Sequence, residues 1–141
     1  MLNHIPKLLP SELVKHLMDM GHGDEIVIAD GNYPASSMGV PVVHLDGHNV
    51  PEVLDAILEL MPLDAYVDSP WALMEVIPGD PIVPVVWEAY RKILRSRGCE
   101  AEPQMVERYA FYERGRRAFC VAATSEPRQY ANVILKKGIV K

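Results

Sequence analysis

The sequence lacks the features that mark several large classes of protein. Acidic residues outnumber basic ones and give a net charge of −5, so the charge balance does not support nucleic acid as a partner. No apolar run approaches the ~20 residues that a membrane-spanning helix needs. The first residues also lack the charged and apolar regions of a secretory signal. We therefore expect a cytoplasmic protein with neither a membrane nor a nucleic-acid partner.

The sequence also has few cysteines and no repeated segments. The chain has only two cysteines. Cys120 lies in an apolar run and Cys99 in a polar connector, so we expect free thiols rather than a disulfide. There is no internal repeat, low-complexity tract or linker. Because 141 residues are enough to bury one core, we expect residues 1–141 to form a single domain.

The spacing of apolar residues predicts a succession of helices and strands. Strands that alternate with helices indicate a single-domain, layered α/β/α fold. Too few residues separate the last two strands for a crossover helix, so we expect a mixed, mostly parallel sheet of about six strands. Ser11 is the expected N-cap of the first helix. Helices are expected at about 11–20, 50–61, 84–97 and 111–114, and strands at about 26–29, 42–45, 71–76, 105–108, 118–123 and 133–136.

Two residues beside the first strand each allow a functional and a structural interpretation. His22 stands between Gly21 and Gly23. Its imidazole could act as a general acid or base, or it could merely face the dipole at the end of the first helix. Asp30 ends the first strand, where a carboxylate either lines a ligand crevice or caps the following turn. Both questions stay open at this point.

Motifs for cofactors are missing. A dinucleotide loop follows a strand and opens a helix, whereas the glycines at 21–24 close a helix and precede a strand. No P-loop signature occurs. A metal site at His44, Asp46 and His48 is disfavoured, because Gly47 interrupts the strand geometry that would align these side chains. We expect no metal and no organic cofactor.

Two later segments carry groups that can bind a sugar. Residues 108–114 combine arginines with aromatic rings, and such groups bind hydroxyls and C–H faces respectively. The same composition is also typical of a helix with an aromatic core face. Tyr130 and Asn132 offer a phenol and an amide just before the last strand.

In their order and spacing, four stretches together resemble the L-fucose mutarotase and D-ribose pyranase family. The resemblance runs nearly end to end and is most specific towards the two ends of the chain. It is greatest to the L-fucose mutarotases. The stretches are residues 20–26, Asp30 with the downstream Pro34 and 37–39, residues 111–114, and residues 130–138.

This resemblance implies an isomerase that interconverts monosaccharide anomers without a metal or organic cofactor. It also implies a cytoplasmic homo-oligomer of carbohydrate metabolism, a ring or a larger assembly such as a decamer. His22 matches the proton-donating histidine of the family. The positions that match its substrate contacts are Asp30, Arg108, Tyr130, Asn132 and the backbone at Ala131.

Some positions differ from the L-fucose members and leave the exact sugar open. Asn32, Tyr33 and Ser36 stand where variants with histidine occur, and Ala131 replaces a glycine. The leading hypothesis is therefore a mutarotase for a monosaccharide, with L-fucose first. The alternatives are a pyranase for ribose or another sugar, a non-catalytic sugar-binding protein, and an interaction module that binds no sugar.

The separation of His22 from Asp30 bears on where a site could form. Eight extended steps of ~3.3 Å would place the two residues up to ~26 Å apart, too far for one monosaccharide to contact both. Either the glycines bring His22 back towards Asp30, or a neighbouring subunit supplies one of the two groups. We expect the second arrangement, with active sites at subunit interfaces.

Overall fold

The computed structural model describes residues 1–141 and contains four α-helices, one short 3-10 turn and six strands. In chain order these are α1 (Ser11–Asp19), β1 (Glu25–Ala29), the 3-10 turn (Ala35–Ser37), β2 (Val42–Leu45), α2 (Val50–Leu60), β3 (Trp71–Met74), α3 (Val86–Ser96), β4 (Gln104–Val106), α4 (Arg108–Arg117), β5 (Cys120–Thr124) and β6 (Val133–Lys136). None of the helices combines the length and the apolar composition that crossing a membrane would require.

The number, type and order of the helices and strands agree with the sequence prediction, but one N-cap and two helix starts differ. Helix α3 begins at Val86, two residues after the predicted start. The N-cap of α1 is Pro10 rather than Ser11, and no side chain caps this end. Helix α4 begins at Arg108, three residues before the predicted start, and extends to Arg117. Its N-cap is Glu107, whose carboxylate accepts a hydrogen bond from the backbone N–H of Ala110 at 3.0 Å. The many charged residues of α4 weaken the apolar periodicity that would have revealed its full length.

All six strands form one mixed sheet in the order β2-β5-β1-β6-β3-β4. Strand β6 runs antiparallel to both of its neighbours, β1 and β3, and the other pairs are parallel. The prediction of a mixed, mostly parallel sheet of six strands is confirmed. The last two strands are not neighbours, however, because β1 lies between β5 and β6.

Helices cover both faces of the sheet, as the α/β/α prediction requires. On one face α1, α2 and α3 enclose a cluster of 25 buried residues that includes Ile26 and Ile28 of β1. On the other face α4 and the 3-10 turn enclose 12 buried residues that include Val27 and Ala29. Successive residues of a strand point to opposite faces, so the central strand β1 is apolar throughout because both of its faces are buried.

The antiparallel course of β6 determines which loops meet. Ile28 near the end of β1 pairs with Val133 at the start of β6. The loop after β1, which begins with Asp30, therefore lies beside the segment that leads into β6 and contains Tyr130, Ala131 and Asn132. The opposite ends of these strands form the other edge of the sheet, where the residues that precede β1 lie beside the end of β6.

Candidate active site

A cleft of ≈230 Å³ opens where the end of β1 meets the start of β6. It brings together four of the residues selected from the sequence, Asp30, Arg108, Tyr130 and Asn132. The volume lies below the ~300–1,000 Å³ of most small-molecule pockets, which suits a ligand as small as a monosaccharide. The other lining residues are Asn32, Tyr33, Met74, Ile77, Tyr112 and Gln129.

Asp30 and Asn132 hold each other in place through the backbone. The backbone N–H of Asp30 donates to Asn132 Oδ1 at 2.7 Å, and both residues are buried. Because Oδ1 is engaged, the amide can offer a ligand only the N–H groups of Nδ2. Asp30 Oδ1 accepts a hydrogen bond from Asn32 N at 2.9 Å. Burial raises the pKa of Asp30, while the backbone N–H groups of Asn32, Ala131 and Tyr33 act against that shift.

Two aromatic side chains of α3 fix the backbone at Tyr130 and Ala131. Trp87 Nε1 donates to the carbonyl oxygen of Tyr130, and Tyr90 Oη donates to that of Ala131, both at 2.7 Å. Tyr130 has a φ of 58°, a left-handed conformation that is uncommon for a residue other than glycine. Such a conformation persists only where surrounding contacts impose it, and it often occurs at ligand sites.

The phenol of Tyr130 is also engaged. Tyr130 Oη donates to Asp80 Oδ2 at 2.6 Å and accepts from the backbone N–H of Ile77 at 3.3 Å. The hydrogen bond to Asp80, followed by burial, raises the pKa of Tyr130, because the bond requires the protonated phenol. Tyr130 is therefore a poor general base.

Arg108 and Tyr112 face the cleft from the first turns of α4. They are four residues apart and so lie on the same side of the helix. The Arg108 guanidinium lies 4.5 Å from the centre of the exposed Tyr109 ring and donates to its hydroxyl at 2.6 Å. The Tyr112 ring packs edge-on against Tyr33, with ring centres 5.7 Å apart.

Sequence reasoning selected neither Tyr112, which lines the cleft, nor Asp80, which lies behind Tyr130 and accepts its hydroxyl. Tyr112 stands inside the aromatic stretch noted above, and its i,i+4 relation to Arg108 would have indicated it had the helix start been correct. For Asp80 the sequence contains no signal, because its contact with Tyr130 joins residues 50 positions apart. By contrast, Arg114 of the same stretch points elsewhere, since it pairs with Glu25 and Gln104.

His22 lies outside this cleft, at the opposite edge of the sheet. The backbone N–H of Gly23 donates to the carbonyl oxygen of Lys137, just beyond the end of β6, whereas Asn132 immediately precedes its start. The five residues of β1 separate His22 from Asp30, which at ~3.3 Å per residue amounts to ~16 Å for the strand alone. The glycines therefore do not bring His22 back towards Asp30 within one chain.

His22 has a carboxylate partner of its own. Its Nε2 lies 3.0 Å from Oδ1 of Asp64, which is buried and also accepts the backbone N–H of Tyr66 at 3.0 Å. The hydrogen bond from His22 lowers the pKa of Asp64, so the carboxylate stays charged beside the ring. The His22 side chain is 45% exposed and its ring is tilted against Tyr66. Nδ1 remains available to a ligand or a partner chain.

Two further hollows lie near these groups. One of ≈500 Å³ adjoins the cleft through Asp30 and Tyr33 and includes His44 and Asp46. Another of ≈440 Å³ borders Asp64. No group of three histidine, cysteine, aspartate or glutamate side chains is placed to hold a metal ion. His48, the third residue of the disfavoured metal site, contacts Glu52 instead.

Comparison with known sequences gives matches over nearly the whole chain. Residues 3–140 match the RbsD / FucU transport protein family. The fucose mutarotase of Homo sapiens is 47% identical over 99% of this chain and 94% of its own length. The L-fucose mutarotase of Actinobacillus pleuropneumoniae serotype 5b (strain L20) is 40% identical over 99% of this chain and 97% of its own.

Solved structures agree with these sequence matches. The fucose mutarotase from Streptococcus pneumoniae, in complex with L-fucose, superposes with a TM-score of 0.93 at 48% identity, covering 99% of this chain and 100% of that one. RbsD of Bacillus subtilis, complexed with D-ribose, superposes with a TM-score of 0.75 at 26% identity, covering 100% of both chains. The fold is thus shared with both proteins, and the similarity to the first is greater.

Proposed function

The chain belongs to the RbsD / FucU family, and on that premise we propose that it is a fucose mutarotase, an isomerase that interconverts the α and β anomers of L-fucose. The observation that carries this proposal is the end-to-end similarity to a fucose mutarotase whose structure contains L-fucose, at 48% identity. The D-ribose-bound relative is less similar, at 26% identity, so a ribose pyranase is the second candidate. We also expect the protein to act in the cytoplasm.

The reaction is the opening and reclosure of a cyclic hemiacetal. The anomeric hydroxyl loses a proton, the ring oxygen gains one, and the bond between the anomeric carbon and the ring oxygen breaks to leave an open aldehyde. Rotation of the aldehyde followed by ring closure yields the other anomer. A positioned acid or base contributes typically ~10² to 10⁴-fold to such a step. The proposal requires neither a metal nor an organic cofactor.

The cleft supplies the groups that would hold the sugar. Asn132 offers Nδ2–H donors and Arg108 a guanidinium, while Asp30 offers carboxylate oxygens. Burial raises the pKa of Asp30 and so makes its carboxylate a stronger base. We assign to Asp30 the proton of the anomeric hydroxyl, directly or through water. The phenol of Tyr130 is not assigned as that base, because its raised pKa keeps it protonated and its proton is donated to Asp80.

His22 is the proposed acid. The carboxylate of Asp64 fixes the ring through Nε2, so that Nδ1 is the nitrogen that can give a proton to the ring oxygen. A carboxylate in this position holds the ring in one orientation, as in other histidine–carboxylate pairs.

Because His22 and the cleft lie at opposite edges of one sheet, we propose that a second copy of the chain completes the site. The His22 edge of one protomer would face the cleft of the next. Such a head-to-tail contact, repeated with rotational closure, produces a ring. A homo-oligomeric ring, alone or stacked as a decamer, is the assembly that we expect.

Saturation-transfer NMR tests the proposed reaction. Saturating the anomeric proton of α-L-fucose should attenuate that of the β anomer when protein is added, and a chelator should leave this effect unchanged. Exchange with D-ribose but not L-fucose would favour the pyranase. Binding without faster exchange would identify a non-catalytic sugar-binding protein, and the absence of both would contradict a sugar function altogether.

A further inference from the structure

The hydrogen bonds of Tyr130 restrict what its hydroxyl can offer to a ligand. A phenol has one proton and two acceptor positions. The proton is donated to Asp80 Oδ2 at 2.6 Å, and one acceptor position takes the backbone N–H of Ile77 at 3.3 Å. One acceptor position therefore remains, on a side chain that lines the cleft. Towards a ligand, Tyr130 can only accept.

Asp80 is itself held by the segment between β3 and α3. Its second oxygen, Oδ1, accepts the backbone N–H of Ile82 at 3.1 Å. Its backbone N–H donates to the carbonyl oxygen of Ile77 at 3.0 Å. With Oδ1 engaged by an N–H donor, Oδ2 is the oxygen directed at the phenol, and an ionised carboxylate can only accept there. Hydrogen bonds to a charged group are also stronger than those between neutral groups.

We propose that Asp80 is a positioning residue that sets Tyr130 as a hydrogen-bond acceptor and thereby makes the cleft select a sugar hydroxyl that donates at this point. The inference rests on the proposed function, because it requires a monosaccharide in the cleft. Asp80 acts through Tyr130 and does not itself touch the sugar. The expected consequence is that the cleft binds one sugar more tightly than another that differs from it in this single hydroxyl.

The substitution Asp80→Asn reverses the hydrogen bond rather than removing it. The N–H of Ile82 keeps the amide oxygen at the Oδ1 position, which leaves the NH₂ group at the position of Oδ2. This NH₂ group donates to the phenol oxygen, and the N–H of Ile77 occupies the other acceptor position. The phenol proton must then turn towards the cleft. Tyr130 then becomes a donor towards the ligand, and the cleft no longer favours a sugar hydroxyl that donates at this point.

The experiment compares L-fucose with analogues in which a single ring hydroxyl is replaced by fluorine, which accepts weakly and cannot donate. The NMR exchange assay gives KM and kcat for each sugar. In the wild-type protein, one analogue of the panel should bind about tenfold more weakly than L-fucose, because a donor to Tyr130 is lost. In Asp80→Asn and in Tyr130→Phe that difference should fall to about twofold or less, with the effect mainly in KM.

Matched controls separate this role from a general structural one. Asp19→Asn removes the same charge from an exposed residue of α1 whose carboxylate hydrogen-bonds to Lys15, and it should keep the full discrimination. Thermal unfolding of Asp80→Asn should confirm that it is folded, and Tyr130→Phe tests the same inference if it is not. Undiminished discrimination in both variants, or a wild-type protein that discriminates against no analogue, would overturn the inference. A wild-type protein that exchanges no sugar would instead contradict the proposed function.

Discussion

At the scale of single residues, buried carboxylates fix the groups that carry the proposed chemistry. Asp64 engages one nitrogen of His22 and leaves the other free. Glu126, whose side chain is fully buried, supports the loop that leads to Tyr130. Its carboxylate accepts from Arg128 and from the N-terminus of α2 at Val50, and its backbone carbonyl accepts from Gly31 beside Asp30. Each carboxylate is paired, as burial of a charge requires.

Replacement of His22 should separate catalysis from binding. His22→Ala is expected to lose about 100-fold or more in kcat for L-fucose exchange while KM changes little, because an acid acts chiefly on the transition state. Asp64→Asn should lose about tenfold in kcat, since the ring then loses the carboxylate that holds its orientation. Saturation-transfer NMR measures both effects. His48→Ala, which alters a histidine paired with Glu52, is the control, and an unchanged rate in His22→Ala would assign the acid to another group.

Glu126 should make stability depend on pH in a defined direction. Hydrogen bonds from Arg128 and from the backbone N–H groups of Arg128 and Val50 lower the pKa of Glu126 in the folded protein. Its stabilising contribution is therefore present above the ordinary glutamate pKa of about 4.3 and is lost as the pH falls through the folded value. Asp30 contributes to the pH dependence of stability with the opposite sign. Because its pKa is raised in the folded protein, uptake of a proton by Asp30 favours the folded state as the pH falls.

Urea unfolding of wild type and Glu126→Gln across this pH range tests the prediction. At neutral pH the variant should be less stable by about 1–3 kcal/mol, because an amide cannot accept all the hydrogen bonds that the carboxylate accepts. The difference should narrow as the pH falls below about 4, where the wild-type carboxylate takes up a proton. A difference that is constant with pH would contradict the assignment.

At the scale of elements, α4 connects the cleft to the cluster of 12 buried residues on its own face of the sheet. Its first turns carry Arg108 and Tyr112, and its later part packs against Tyr33 at Gly115. A Cβ at Gly115 would lie 2.0 Å from Tyr33 Oη, so the tyrosine hydroxyl occupies the space that any larger residue would need. The same hydroxyl is buried without a hydrogen-bond partner. Glycine inside a helix costs about 1 kcal/mol relative to alanine, and this packing accounts for its presence.

A double-mutant cycle at Tyr33 and Gly115 tests this packing. Gly115→Ala alone should destabilise the protein, because the new methyl group meets the Tyr33 hydroxyl and also Met38. Tyr33→Phe removes the unsatisfied hydroxyl. In that variant, Gly115→Ala should leave the free energy of unfolding almost unchanged or raise it. We expect a coupling free energy of about 1–3 kcal/mol in urea unfolding. Additive effects would show that the contact does not determine the choice of glycine.

At the scale of the whole molecule, the two groups of residues proposed to form the active site lie at opposite ends of the same strands. The His22–Asp64 pair lies at the edge where β1 begins, and the cleft lies where β1 ends. The cleft holds the groups proposed to bind the sugar hydroxyls, and the other end of the strands holds the histidine proposed as the acid. This separation supports the proposed assembly, because a head-to-tail contact would bring unlike edges of neighbouring copies together.

Mixing two inactive variants tests that assembly. His22→Ala removes the proposed acid, and Arg108→Ala removes a cleft residue whose side chain hydrogen-bonds within the chain to the exposed Tyr109, so that the fold should persist. After dissociation and random reassembly in equal amounts, about a quarter of head-to-tail interfaces would contain both intact residues. We expect L-fucose exchange to return to about a quarter of the wild-type rate. If one chain formed each complete site, mixing would restore nothing, and each variant mixed with itself provides the baseline.

The sequence by itself determined the layered fold, because apolar periodicity is a local property. The strand at β1 is apolar at nearly every position, and the helix at α2 repeats apolar residues at helical spacing, so both could be located without tertiary information. Helix α4 was underestimated because its charged residues dilute that periodicity. The four cleft residues were selected from motif resemblance together with their chemistry, and not from any local rule.

Only the tertiary structure decided which of those residues meet. The insertion of β6 between β1 and β3 places Asn132 beside Asp30 and leaves His22 at the far edge. The contacts of Asp64 with His22 and of Asp80 with Tyr130 join residues 42 and 50 positions apart. No periodicity encodes such pairs, because they depend on the order of strands in the sheet and on the paths of the loops between them.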